Sequence, residues 1–323
     1  MRFARPAALV AALLLSACAT TAPAPVWTGD HTGWTAAEAD VRPIGLGIPG
    51  GAALAKGVGF AGGVQVVLEA GSPLHSLSDL KLIDGDDFVS VSDAGDLVRG
   101  RLRLDAGGRL TGVEGLRWRR LALTDGSPIA DKADGDAEGL LLLADGRVAV
   151  AFERRHRLWA YELERPGAPE PLPSPETAFA LNDGMEGVST APDGWRVAGE
   201  SGGVWDCGAA GCRGVVAPPA EPVPDSEYRI TGMDRDPGGD GFWVVERRFR
   251  PPVDVRGRIR RMAADGTMGP ALVELSLPST VDNFEGIAAV RHGDGVRLYI
   301  LSDDNGSERQ RTLLLAFDVR RAR

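Results

Sequence analysis

Apolar and polar positions alternate along the chain in short runs, and no long stretch carries the 3.6-residue rhythm of an amphipathic helix. Phe88-Val-Ser-Val-Ser-Asp93, Val148-Ala-Val-Ala-Phe-Glu153, Trp195-Arg-Val-Ala-Gly-Glu200, Phe242-Trp-Val-Val-Glu246 and Leu298-Tyr-Ile-Leu-Ser-Asp303 each read as a strand that ends in an acid. A short apolar strand precedes each one. These openings are Ser78-Asp79-Leu80, Glu138-Gly139-Leu140, Glu186-Gly187-Val188, Thr231-Gly232-Met233 and Glu285-Gly286-Ile287. The turn between the two strands is often Asp-Gly, as at Asp145-Gly146, Asp193-Gly194 and Asp294-Gly295, which favours a two-residue hairpin. A third strand follows, for example Arg157-Leu-Trp-Ala-Tyr-Glu-Leu163 or Thr312-Leu-Leu-Leu-Ala-Phe-Asp-Val319.

The openings recur 45 to 60 residues apart, a period that marks propellers or solenoids. The predicted fold is therefore all-β: a single β-propeller of five visible blade repeats, with room for a sixth, diverged blade in the 30–70 region. The last repeat runs out after its third strand, whereas Val64-Gln-Val-Val-Leu-Glu-Ala70 precedes the first as a strand without a partner. Pairing these two closes the ring and leaves no long open edge. The 43 glycines fit many tight turns, and the propeller domain is placed at residues 41–323.

The N-terminus changes where this domain is expected to work. Arg2 and Arg5 precede an apolar run from Ala7 to Leu15, which reads as a secretory signal over residues 1–17. The run is shorter than the roughly 20 residues a spanning helix needs. Leu15-Ser-Ala-Cys18 resembles the bacterial lipobox, which implies cleavage before Cys18 and a lipid on its thiol. Residues 18–40 then form the lipidated cysteine and a flexible tether. Ala19 after the cysteine implies, by the same resemblance, the outer membrane facing the periplasm, with membrane contact only through the lipid. Plain secretion with Cys18 incidental is the alternative. Loss of Arg2 and Arg5 moves the formal charge from −9 to −11, which argues against a nucleic-acid partner. Cys207 and Cys212 flank a short glycine-containing connection, and an oxidising compartment favours a disulfide there. Zinc fits less well, because no histidine or second cysteine pair lies close in sequence. A monomer is expected.

Hairpin geometry then gathers the acids. The start of the first strand and the end of the second lie side by side in an antiparallel pair, so each opening residue shares a rim with the acid 14 to 18 residues later. Glu138, Glu186 and Glu285 are expected on the channel axis, with Asp93, Glu153, Glu200, Glu246 and Asp303 around them. Eight carboxylates in one funnel repel unless protonated or countered by a cation. Hard oxygen donors suit Ca2+, and Mg2+ less well. The predicted metal ligands are Glu138, Glu186, Glu285, Asp93, Glu246 and Asp303, with Glu153 and Glu200 as catalytic candidates. The competing reading is structural: acids at strand ends cap loops or pair with arginines, and Glu153-Arg154-Arg155 and Glu246-Arg247-Arg248 supply such partners.

At these residues the chain resembles the family called esterase-like activity of phytase, or phytase-like domains. The resemblance runs from about Leu77 to Val319 and is most specific at Asp136-Ala-Glu-Gly-Leu140, Gly184-Met-Glu-Gly-Val188, Asn283-Phe-Glu-Gly-Ile287, Leu301-Ser-Asp-Asp-Asn305 and Gln310-Arg-Thr-Leu-Leu-Leu-Ala-Phe317. It implies hydrolysis of a phosphate or carboxylate ester. Two positions depart from the family pattern: Ser78-Asp79 stands where Ser-Gly is expected, and the fourth repeat opens with Thr231 instead of an acid. Arg154, Arg247, Arg309 and Arg311 are candidates for binding an anionic substrate. Gly199-Glu-Ser-Gly-Gly203 matches a serine-esterase elbow in letters, yet Val204-Trp205 begins a strand where that elbow needs a helix. The histidines at 31, 75, 156 and 292 lack metal-ligand spacing. A lactonase-type propeller hydrolase and a non-enzymatic envelope-binding scaffold are the two rival functions.

Overall fold

Four-stranded antiparallel units follow one another in the computed structural model, which describes residues 33–320. The signal segment, Cys18 and the tether up to residue 32 lie outside the described residues. The first unit runs through Leu77–Asp84, Asp87–Ser92, Asp96–Leu104 and Leu110–Arg120, and the second through Ala137–Leu142, Val148–Phe152, Arg157–Tyr161 and Glu170–Leu172. The third is Gly187–Ala191, Gly194–Ala198, Val204–Gly208 and Gly211–Val216. The fourth is Arg229–Arg235, Phe242–Arg250, Asp254–Met262 and Met268–Ser276. The last unit joins Asn283–His292, Gly295–Asp303 and Thr312–Val319 to the N-terminal strand Val58–Val67.

That final pairing closes the β-propeller, as the unpartnered N-terminal strand predicted. Among the described residues the innermost strands of the units touch in a closed cycle, the last against the first. The chain before Val58 covers edges. Thr35–Ala36 lies outside Leu110–Arg120, Asp40–Pro43 outside Val58–Val67, and Ala52–Leu54 outside Met268–Ser276. Backbone groups that would otherwise stand open are thereby paired.

The core sits between neighbouring sheets, because a strand sends alternate side chains to opposite faces. Val89 and Val91 of the first unit meet Leu140, Val148, Val150 and Phe152 of the second. Phe88, on the other face of the same strand, packs with Val64, Leu301 and Leu314 of the last unit. Ala149 and Ala151 point from the second unit to Val188, Trp195 and Val197 of the third. Each fully buried aliphatic or aromatic side chain contributes about 1.5–3 kcal/mol, so the ring is held by its inter-sheet seams. Cys207 and Cys212 face each other across the outer hairpin of the third unit and are disulfide-bonded.

Near the axis the seams tighten. A Cβ on Gly139 would come within 2.9 Å of the carbonyl oxygens of Met185 and Glu186 on the next unit. The glycine after the acid therefore lets successive inner strands approach, and it sets the acid itself at the rim.

Candidate functional site

A β-bulge aims most of the opening residues. The pairing of the two inner strands skips at Ser78, Glu138, Thr231 and Glu285, so each stands as the extra residue of its strand. A bulged residue is released from strict alternation and turns its side chain out of the sheet plane. Glu186 stands one residue ahead of its strand. The closing acids are locked alongside: the amide of Asp93 donates to Ser76 O (3.0 Å), that of Glu153 to Asp136 O (2.7 Å) and that of Glu200 to Gly184 O (3.0 Å). Asp303 and Glu246 pair directly with Asn283 and Ile230.

Three neighbouring clusters result. Carboxylate oxygens of Asp136, Glu138 and Glu153 all lie within 4.8 Å of one another, and so do those of Glu153, Glu186 and Glu200. Asp303, Asp93 and Glu285 make the third, where each of Asp303 and Glu285 feels repulsion from its acidic neighbours. Asn283 Nδ2 donates to Glu285 Oε1 at 2.7 Å, and the Asn305 amide donates to Asp303 Oδ1 at 2.6 Å. Glu246 is not brought into these groups. Arg258, its cross-strand partner, grips it with two hydrogen bonds of 2.6 and 2.9 Å, and Arg260 adds a third.

Basic side chains reach the same rim. Lys132, on the one-turn helix Lys132–Gly135, contacts Asp93 at 2.6 Å and Asp136 at 2.7 Å. Arg154 binds the other oxygen of Asp136. Arg247 stands 3.2 Å from Glu200 and 4.0 Å from Glu285, and Arg229 meets the second oxygen of Glu200 at 2.7 Å while also binding Asp183 and Asp225. Of the predicted substrate-binding arginines, Arg154 and Arg247 are therefore at the acids. Arg311 is tied to Asp282 at 3.0 Å, and Arg309 is exposed on the turn after the acid-bearing strand.

Asp136, Lys132 and Arg229 were not singled out from the sequence. Asp136 carried a signal, since it stands two residues ahead of Glu138 in the same motif. The helix that carries Lys132 and the approach of Arg229 from the fourth unit depend on tertiary placement. The rival chemistries do not assemble. Gly199–Gly203 forms a tight turn between two strands, His75 is held by Asp304 at 2.8 Å, and His156 contacts the Asp183 carbonyl. His31 lies outside the described residues.

Burial and mutual repulsion raise the proton affinity of this rim. Glu153 is pushed up to about 7, chiefly by loss of water and then by Asp136. Burial carries Glu200 to about 8 against the pull of Arg247, and Glu285 to about 7 against the same arginine. Burial lifts Glu138, Glu186 and Asp303 well above the usual carboxylate range, with repulsion from neighbouring acids adding to it. An acid whose folded value exceeds its unfolded one stabilises the fold fully below the unfolded value, and loses that contribution as pH rises through the folded value. The cation-free protein is thus expected to melt at a higher temperature at pH 5 than at pH 8. Thermal unfolding in chelator checks this, and a flat or rising profile would show the rim charges to be compensated.

A family model described as phytase-like, esterase-like activity of phytase, matches residues 72–306. The chain belongs to the phytase-like family. No curated protein matches the sequence. Among solved structures, virginiamycin B lyase from Staphylococcus aureus is 10% identical to this phytase-like chain, with 87% of it and 100% of the lyase covered and a TM-score of 0.42. A PQQ-bound aldose sugar dehydrogenase from Streptomyces coelicolor is 16% identical, with 82% and 100% covered and a TM-score of 0.42. A gluconolactonase from Xanthomonas campestris is 14% identical, with 79% and 75% covered and a TM-score of 0.39.

Proposed function

We propose that this phytase-like protein is a Ca2+-dependent hydrolase of small-molecule phosphate or carboxylate esters, held at the cell envelope by a lipid on Cys18. The observation that carries the reading is the state of Glu153 and Glu186. Both are more than nine-tenths buried, and among the described residues neither side chain has a hydrogen bond or an ion pair. A buried carboxylate without a partner calls for a cation or a proton. The donors around them are all carboxylate oxygens, with no histidine or thiolate, which suits a hard ion such as Ca2+.

Glu138, Glu153, Glu186 and Glu200 would hold the ion. When bound, it polarises the ester oxygen and lowers the pKa of a water. The chain supplies the rest. Arg154 and Arg247, with Arg229 beside them, place guanidinium groups where an anionic substrate group is drawn in. The inter-sheet seams keep these side chains in one arrangement, and a rim carboxylate outside the ion's ligands takes the proton from the attacking water.

Purified protein assayed on aryl phosphates and aryl carboxylate esters should lose activity in chelator and regain it with Ca2+ more than with Mg2+. The Glu138→Ala, Glu186→Ala double variant should lose the thermal stabilisation that Ca2+ gives. Activity indifferent to chelator would remove the cation from the reading, and silence on every ester would remove the hydrolase.

A further inference from the structure

The exposed apolar side chains are not spread evenly over the propeller. Among the described residues Ile48, Leu181, Val253 and Leu277 are 58–66% exposed, and all four sit on connections at the end of the units where the rim acids stand. Val253 tips the turn between Phe242–Arg250 and Asp254–Met262, beyond Glu246 on the same hairpin. Leu277 follows Ser276, which pairs with Arg256 at that end. Ile48 is held beside it, because Gly47 bridges to Ser279 and the Ser276 amide donates to Gly51 O at 2.7 Å. Leu181 lies on the segment that leads into Glu186. A less exposed side chain, Val216 at 38%, ends the outermost strand of the third unit beside Gly266.

Single apolar residues are ordinary on a protein surface. What marks these four is the contrast with the opposite end. There each of the five inner hairpins turns on an exposed aspartate: Asp86, Asp145, Asp193, Asp240 and Asp294. The rim acids themselves are buried, Glu153 at 8% and Glu186 at 4%, so the outermost surface at the mouth end is made by the loops. Exposed arginines stand on the same loops, with Arg155 61% and Arg250 48% open to solvent.

The described chain also begins at this end. The strand Leu110–Arg120 finishes there, with Arg120 opposite Asp96, and Thr35 and Ala36 pair with Trp118 and Arg117 near that finish. Gly33 therefore stands on the side of the apolar tips. Fourteen residues separate it from Cys18, and an extended segment of that length reaches about 50 Å at most.

We infer that the mouth end of the propeller lies against a lipid bilayer, with Ile48, Leu181, Val253 and Leu277 entering the headgroup layer and the aspartate turns facing water. The inference rests on the proposed lipid at Cys18 for closeness to the membrane, and on the loop tips for which end faces it. Aliphatic side chains withdrawn from water at an interface favour association, and arginines beside them reach lipid phosphates. An anionic surface repels the aspartate end. The bilayer is then met by the protein as well as by its lipid.

The test uses the exported protein, extracted with its lipid and weighed to establish the state of Cys18. Leu277→Cys and Val253→Cys at the mouth end, and Asp145→Cys and Asp294→Cys at the other, each carry an environment-sensitive fluorophore on the new thiol. On vesicles of phosphatidylethanolamine and phosphatidylglycerol containing a nitroxide lipid, the labels at 253 and 277 should shift to the blue and lose most of their emission. Those at 145 and 294 should do neither. All four positions are exposed, so the labels do not disturb the core. Labels silent at both ends on protein that stays bound through Cys18 would overturn the docking face and leave the anchor standing, as when a second copy or a partner protein covers the tips. A response at the aspartate end would overturn the orientation. A mass without the lipid would overturn the anchor, and this docking with it.

Discussion

Replacing Asp79 with alanine is expected to destabilise the fold by about 3–5 kcal/mol, read from the urea unfolding midpoint. Asp79 is fully buried at the seam of three units. Its carboxylate accepts from Lys81 Nζ at 2.7 and 2.8 Å and from its neighbour Leu80 N at 2.7 Å. It also accepts from Leu140 N of the second unit at 2.9 Å and from Ile287 N of the last unit at 3.4 Å. Lys81 is itself buried and donates to Ile287 O at 3.2 Å. Alanine would strand an ammonium in the core and leave two backbone amides of adjoining inner strands without their acceptor, and both losses are costly. The pair as a whole need not be strongly stabilising, because burying it removes two charges from water, and that burial raises the Asp79 pKa to about 6 in spite of Lys81. An Asp79→Leu, Lys81→Met double variant should therefore recover most of the loss. A loss under about 1 kcal/mol for the alanine variant would show that the seam holds without the brace.

Asp79 also marks where the sequence was informative and where it was not. The repeat was legible because each unit begins with a self-contained hairpin, whose period-two pattern and Asp-Gly turns are local. Ser78-Asp79 departs from the family pattern, and the order of residues does not reveal that the Asp79 carboxylate reaches across two seams where a glycine is expected. The outer strands were less legible. Gly211–Val216 is largely exposed on both faces, and Thr35–Ala36, Asp40–Pro43 and Ala52–Leu54 are edge pieces with little to bury, so no alternation announces them. The gathering of acids followed from hairpin pairing, which is a local rule. Which acids remain free did not follow from it. Glu246 is drawn off because the register of the third strand puts Arg258 opposite it, and Asp136 joins because it stands beside Glu153 at the mouth of the hairpin, where a helix turn and Arg154 meet it. Those outcomes depend on long-range register, which residue order alone does not fix.

The Glu186→Gln variant should lose about 100-fold or more in ester hydrolysis, a barrier change of roughly 2.7 kcal/mol. In chelator the same variant should melt at a higher temperature than the unaltered protein. The two effects have one cause. Glu186 is 4% exposed, has no hydrogen bond or ion pair among the described residues, and lies with oxygens of Glu153 and Glu200 within 4.8 Å. Glutamine keeps the volume and removes the charge, so the cation-free fold is relieved of repulsion that burial amplifies. When Ca2+ is added the order should reverse, because the ion stabilises the folded state in proportion to its occupancy and the variant has lost a ligand. A residue kept for packing alone would move stability in one direction under both conditions and leave turnover nearly unchanged. A Glu186→Gln protein that melts lower in chelator and still hydrolyses esters would mean that the carboxylate is satisfied within the protein. The acids at the channel mouth would then be architecture and not a site. Reversal of the melting order on adding Ca2+ separates these readings even before a physiological substrate is known, because it reports on the charge of one buried side chain and on nothing the substrate does.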